Sequence, residues 1–418
     1  MVIKQIEQNV FDEFAKSHVL RNFYQTSAYG QLMSKNGYTA LYIGAFNDSK
    51  LVAASLILCK SIGPNIKYGY APRGFLINYY DTNLVKEFSK KIKDYFFMKG
   101  FAFIKINPEI TYNIVEYDTK TKIVNTKNRD IINNLKEIGY DKLKDNLYFE
   151  SMLPKYNPII YLPNYDLNTI SDNISEEMIS YEERGIKLVN ADKNDLNLAY
   201  DFVKKKTTNQ LKYYTDLYEI FSEYNMIDLL LVKLNYDKYA KFMQKKYADE
   251  LEINEQINAE FNEKPNDSEL YDKKMKSDKI VNDISRNIAI INNRMKADTN
   301  SEILGAAFVI KYENRINILI SGQKNDFNNL DVKTFILYKI IEKYKKENYL
   351  YLDMNGITGD MTESNPYKDV NDFKLKFNPT TFEYIGEFDL IINKPFHQLL
   401  WSTGKIQKEF YKPKRKSQ

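Results

Sequence analysis

The chain has 418 residues, 43% of them hydrophobic, with 60 basic and 56 acidic side chains and a formal charge of +4. That length suits about two to four domains with sizeable cores, and the near balance of charge excludes a uniformly basic nucleic-acid module while leaving room for a local basic groove. A single cysteine, Cys59, and two histidines, His18 and His397, exclude an intrachain disulfide and argue against a zinc site or a Ser-His-Asp triad.

Residues Met1 to Phe11 lack the apolar core of a signal peptide. No apolar run approaches ~20 residues, so no membrane span is expected and the expected compartment is the cytosol. KLVAASLILC (Lys50 to Cys59) and IKYGYAPRG (Ile66 to Gly74) read as antiparallel strands joined at Gly63, Pro64 and Asn65. LVKEFSKKIKDYFFMKG (Leu84 to Gly100) reads as a helix, because Leu84, Phe88, Ile92 and Tyr95 fall on one face. Asp81 can cap its start, and Gly100 suits the left-handed position past its end. FAFIKIN (Phe101 to Asn107) is a further strand.

Next come a helix around Asp195 to Lys206, with Leu196, Ala199, Phe202 and Val203 inward, and a strand at Ile227 to Lys233. From about Tyr236 to Thr299 there is no glycine and only one proline, Pro265. Val281, Ile284, Ile288, Ile291 and Met295 make a coiled-coil seam there, facing a looser set of Phe242, Tyr247, Leu251, Ile257 and Phe261. Two antiparallel helices folding back at Asn262 to Ser268 are expected, as a projecting arm rather than flat on the body. The strand–strand–helix–strand phrase then recurs as ILGAAFVIKY (Ile303 to Tyr312), NRINILISG (Asn314 to Gly322), VKTFILYKIIEKYKKEN (Val332 to Asn348) and YLYLDMN (Tyr349 to Asn355). Phe335, Ile336, Ile340, Ile341 and Tyr344 form its apolar helix face.

The phrase resembles the acetyltransferase (GNAT) fold, so the fold class is mixed α/β. The resemblance implies two GNAT-like domains with an antiparallel coiled-coil arm inserted in the second. The expected division is 1–157 with 390–418, 158–235 with 303–389, and 236–302 for the arm. GNAT enzymes hold the coenzyme A pyrophosphate on backbone amides of a glycine-containing turn. The corresponding turns, Ile77 to Asn83 and Gln323 to Asp331, have no glycine, which disfavours acetyl-CoA as donor.

Across its whole length the chain resembles the Fem-type peptidoglycan-bridge transferases. The segments that carry this are FYQTSAYGQLMSKNGY (Phe23 to Tyr38), YAPRGFLI (Tyr70 to Ile77), FIKINPEI (Phe103 to Ile110), RGIKLVNADKNDL (Arg184 to Leu196), YLDMNGITGD (Tyr351 to Asp360), DFKLKF (Asp372 to Phe377) and FEYIGEFDLIINKP (Phe382 to Pro395). The resemblance implies transfer of an amino acid from aminoacyl-tRNA to the stem-peptide amine of a lipid-linked or UDP-linked muropeptide, with no metal or small organic cofactor. It implies Lys374 as the cation for the developing oxyanion and Asn107 as a residue orienting the amine. It also implies Lys35, Arg73, Phe373 and Tyr214 as substrate-binding residues, Lys35 at the acceptor's phosphate. Read without it, Lys374 is a surface lysine, Phe373 a core residue, Lys35 a solvated turn lysine and Arg73 a turn anchor. Further expectations are peripheral contact with the inner membrane face, and self-association or pairing with a homologous transferase.

The chain also departs from the family. SDNISEEMISYEE (Ser171 to Glu183) stands where the family is basic, Asp216 where it has an arginine, and Asn107 where it has a carboxylate. A weakened paralogue that binds active transferases is therefore a rival reading, and a CoA-dependent N-acyltransferase is another. The terminal KPKRKSQ (Lys412 to Gln418) reads as a solubilising tail that could touch RNA or anionic lipid.

Overall fold

The computed structural model describes residues 1–63, 65–116, 121–145, 148, 152–170, 172–295, 300–324 and 330–410. The basic tail, Ser171 and most of the turn between Gln323 and Asp331 lie outside these residues.

A seven-stranded sheet runs edge to edge through Val2–Gln5, Thr39–Asn47, Lys50–Gly63, Ile66–Ala71, Phe101–Ile106, Phe388–Ile391 and Tyr140–Lys142. A nine-stranded sheet runs through Ile186–Ala191, Ile227–Asn235, Ser301–Tyr312, Arg315–Gln323, Tyr351–Asp353, Tyr156–Tyr161, Thr380–Tyr384, Thr111–Glu116 and Thr121–Val124. Each sheet holds one parallel pair, Ile66–Ala71 with Phe101–Ile106 and Arg315–Gln323 with Tyr351–Asp353. A parallel pair needs a long crossover. The amphipathic helices Thr82–Phe97 and Val332–Lys346 supply it in the two copies.

The caps follow the sequence. Asp81 accepts from the Leu84 amide, and Gly100 has a φ of 77°. Phe88 and Ile92 are buried as expected, but Val85 and Phe96 complete the face while Leu84 and Tyr95 flank it. In the second copy all five expected residues are buried.

Two segments cross between the sheets. Residues 111–124 follow the first unit in sequence, yet they pair onto Thr380–Tyr384 in the second sheet. Phe388–Ile391 straddles the expected boundary and pairs wholly within the first sheet, between Phe101–Ile106 and Tyr140–Lys142. The division drawn from sequence is corrected at both places. Hydrogen-bonding edges left open by one unit are filled by strands adjoining the other.

The insertion forms helices Tyr236–Glu263 and Ser268–Met295, each about 42 Å long at 1.5 Å per residue. Its base is sunk in the second core through Tyr236, Tyr239, Ala240, Met243, Ile284 and Ile291. Farther out the two helices pack on each other, and the seam carries a polar layer. Buried Asn254 donates to Ser277 Oγ (3.0 Å) and Asp278 Oδ1 (2.8 Å). A buried polar pair at one seam position defines register at some cost in stability. No described helix is long and apolar enough to cross a membrane.

Candidate active site

Arg73 from the first unit and Asn317, Asp353 and Asn355 from the second line one small cavity. Arg73 and Asn107 lie just past the ends of the first pair, Asp353 closes a strand of the second, and Asn355 and Gly356 follow it. Asn107 is buried. Its Oδ1 accepts from the Arg73 amide (2.8 Å) and its Nδ2 donates to the Tyr70 hydroxyl (3.1 Å). That hydrogen bond holds Arg73 in a left-handed turn at φ 52°. The Arg73 guanidinium donates to the Pro154 carbonyl (3.0 Å) and stacks 4.9 Å from the Tyr384 ring centroid.

A buried ion cluster ties the halves together. Arg315 meets Glu109 and Asp353, each at 2.6 Å. Glu109 also accepts from Tyr384 (2.7 Å) and from Asn22, and Asp353 accepts twice from Asn157 at 3.1 Å. Burial alone would raise the Glu109 carboxyl; Arg315 and Arg73 overcome it and hold it below the usual carboxylate range. These carboxylates are acceptors already occupied, so neither is a ready general base.

Asp353 also shapes the next turn. Its Oδ1 accepts from the Asn355 amide (2.8 Å), and Asn355 adopts φ 65°. The carbonyls of Asn355 and Gly356 consequently point at Lys374, whose ammonium donates to them at 3.2 and 2.8 Å. Lys374 lies in the last turn of helix Lys368–Leu375. Burial pushes its amine down to about 7; Asp353 opposes the fall, and Lys333 and Lys206 add to it. Phe373, the preceding residue, packs partly into the second core, with Lys333 Nζ 3.6 Å and Lys376 Nζ 4.9 Å from its ring centroid. Burial, then Lys206 and Lys376, bring Lys333 down to about 8.

Lys206 arrives by a close backbone approach. A Cβ on Gly322 would lie 2.0 Å from the Phe202 carbonyl oxygen, so only glycine lets helix Leu196–Val203 end on this strand. Lys206, three residues on, then donates to the Ser321 carbonyl at 3.1 Å.

Lys35 and Tyr214 belong to another part of the interface between the units. Lys35 ends helix Ser27–Lys35 and pairs with Asp216 (3.5 Å) and Glu219 (3.9 Å) on helix Leu211–Glu223. Buried Tyr214 packs 4.8 Å from Phe308 and 5.4 Å from Tyr213. Electrostatic coupling links Tyr213 to Tyr24, and Tyr24 in turn to Arg73 and Asp353. Burial raises the Tyr24 phenol to about 12, so it is a neutral hydroxyl at physiological pH. Tyr213, Tyr29 and Tyr24 thus lie near one another, and Tyr24 borders the cavity with Arg73 and Asp353.

Lys374 and Phe373 therefore come together, Arg73 and Asn107 adjoin them through the ion cluster, and Lys35 with Tyr214 stands apart. Lys206 and Lys333 escaped sequence reasoning, since no spacing joins such distant positions. Glu109 and Asp353 lay inside the quoted INPEI and YLDMN strings and were identifiable as acids beside strand ends. Among the described residues no group of acids, histidines and cysteine could hold a metal ion.

A family model described as the FemAB family matches residues 6–402. The aminoacyltransferase FemA of Staphylococcus epidermidis is 21% identical over 413 residues, covering 95% of this chain and 98% of that protein. FemA of Staphylococcus aureus is 20% identical over 417 residues, covering 96% and 98%. A crystal structure of FemX superposes with a TM-score of 0.72 at 19% identity, covering 96% of this chain and 100% of the other. The fold is that of FemX, two mixed sheets with an inserted helical arm.

Proposed function

The chain belongs to the FemAB family, and from that premise we propose that it moves an aminoacyl group from tRNA to the stem-peptide amine of a peptidoglycan precursor. It is an aminoacyltransferase, as its matched relatives are named. The observation that carries the site assignment is the Lys374 ammonium, held on two carbonyls beside the junction of the two units. The donor is an activated ester, so positioning and oxyanion stabilisation supply most of the catalysis. The acceptor nitrogen attacks the ester carbonyl, Lys374 steadies the oxyanion, and the carbon–oxygen bond to the terminal ribose breaks. The ribose oxygen takes up the proton that the amine releases.

Asn107 and Arg73 support the acceptor side by fixing the turn at the ends of the first parallel pair. Tyr24, Tyr29 and Tyr213 supply walls for a peptide, and Lys35, on the neighbouring helix pair, is the cation for its phosphate. The precursor is lipid-linked or nucleotide-linked, and a lipid-linked one brings the protein to the inner membrane face. The test is transfer from charged tRNA to a muropeptide: Lys374→Ala lowers turnover about 10²–10³-fold. Normal turnover in that variant removes Lys374 from the mechanism.

A second reading rests on Lys35. With Asp216 and Glu219 as counter-ions, its attraction for a phosphate is weakened, as in a paralogue that binds active transferases. The same assay separates the two, because such a paralogue turns over no charged tRNA.

A further inference from the structure

Four lysines from three separate places converge beside Phe373. Lys206 follows helix Leu196–Val203, Lys333 opens helix Val332–Lys346, and Lys374 and Lys376 close helix Lys368–Leu375. Lys333 and Lys376 share the Phe373 ring at 3.6 and 4.9 Å. Lys206 and Lys374 are anchored on backbone carbonyls. Among the described residues the carboxylate within ion-pair distance is Asp331, 3.6 Å from Lys376; Asp353 acts on Lys374, and Asp331 and Asp369 on Lys333, only from farther away. Packing four ammonium groups with so little counter-charge is unfavourable in the free protein, and a bound anion removes the penalty.

We propose that Lys206, Lys333 and Lys376 form a seat for the last internucleotide phosphate of the RNA donor, one ribose away from the ester that Lys374 faces. The assignment rests on the reading of Lys374 given above. Covalent connectivity decides between the substrates. In an aminoacyl-RNA the terminal phosphodiester is joined to the reacting ester through a single ribose. In a muropeptide the diphosphate is separated from the stem-peptide amine by a sugar and several peptide residues. A phosphate beside Lys374 is therefore the donor's, and the acceptor's belongs elsewhere, as at Lys35.

The probe is an uncharged RNA hairpin ending in the single-stranded 3′ terminus of tRNA, titrated by fluorescence anisotropy over a range of salt. The double variant Lys206→Gln/Lys333→Gln weakens binding about 10-fold, and the slope of log K against log salt shrinks by about 0.7, one single-strand phosphate contact. Lys333→Arg keeps the charge and the slope, which separates loss of the seat from loss of the fold. Affinity for a UDP-linked muropeptide is unchanged in both variants. An unaltered RNA affinity and slope in the double variant overturns the proposal, as does a loss confined to the muropeptide. RNA binding through the seat without turnover refutes the aminoacyl-transfer reading and leaves the seat standing. Transfer that persists with a wild-type slope in the double variant refutes the seat alone.

Discussion

Arg315→Met isolates the ion cluster that joins the two halves. The guanidinium meets Glu109 and Asp353 at 2.6 Å each, and the three side chains are only 17%, 9% and 7% exposed for Arg315, Glu109 and Asp353. Water cannot replace the lost cation at such burial, so two carboxylates are stranded. Removing one partner of a buried pair costs about 3–5 kcal/mol. The bonds Glu109 keeps from Tyr384 and Asn22, and Asp353 from Asn157, point to the lower end, about 3 kcal/mol. The pH dependence follows from the same charges. In the native cluster Glu109 is held below the usual carboxylate range, so it contributes stability above its unfolded pKa that is lost as pH falls through its folded value. Without Arg315, burial is opposed only by Arg73 and the hydrogen bonds from Tyr384 and Asn22, so the Glu109 carboxyl moves up. Its charge then costs stability near neutrality, and protonation relieves that cost as pH falls. Urea unfolding followed by circular dichroism therefore gives a large wild-type-to-variant gap at pH 7 that narrows toward pH 4. Adding Glu109→Gln and Asp353→Asn to Arg315→Met recovers most of the loss, because no buried charge remains. A gap under about 1 kcal/mol, a gap indifferent to pH, or a triple variant no better than the single one would refute the reasoning.

If Lys374 works as a cation with its amine at about 7, the active fraction falls as pH rises, so kcat/KM declines above neutrality. Lys374→Arg stays charged and abolishes that limb; identical profiles for the two proteins count against the role. Asp216→Asn removes the nearer counter-ion of Lys35 and lowers KM for the muropeptide several-fold, worth about 1 kcal/mol for a charged hydrogen bond. An unchanged KM separates Lys35 from the acceptor phosphate. The arm carries nine acidic residues and one lysine between Asp249 and Asp272, so its outer part repels RNA. Replacing Tyr247 to Met275 by a short glycine-containing loop leaves KM for charged tRNA within two-fold, and a ten-fold rise would assign the arm to RNA after all.

Periodicity made the scaffold legible. Phe335 to Tyr344 repeat at helical spacing, the apolar strands stand in the same order twice, and a glycine-free stretch with one proline is long enough for a helical pair. Each is a local pattern set by backbone geometry. Pairwise features were not legible for the same reason. Asn254 and Ser277 looked like ordinary surface residues until two helices met in register. Lys35 and Asp216 stood out separately as a family match and a departure, yet their ion pair exists only because helix Leu211–Glu223 packs against helix Ser27–Lys35. The lysines around Phe373 needed the whole second unit, including the glycine at 322 that admits the Phe202 carbonyl.

The crossing of strands between the sheets bears on how the chain is made. As the polypeptide leaves the ribosome, Phe101–Ile106 emerges early but lacks its neighbour Phe388–Ile391 until nearly 300 residues later. Until then the amino-terminal unit presents a strand edge that is apolar except for Lys105, a template for pairing with another nascent chain. Residues 111–124 likewise wait for Thr380–Tyr384. Neither sheet closes before its late strand has been made, so the two are completed together. Halves expressed separately each keep such an edge open, so they stay insoluble until they are combined.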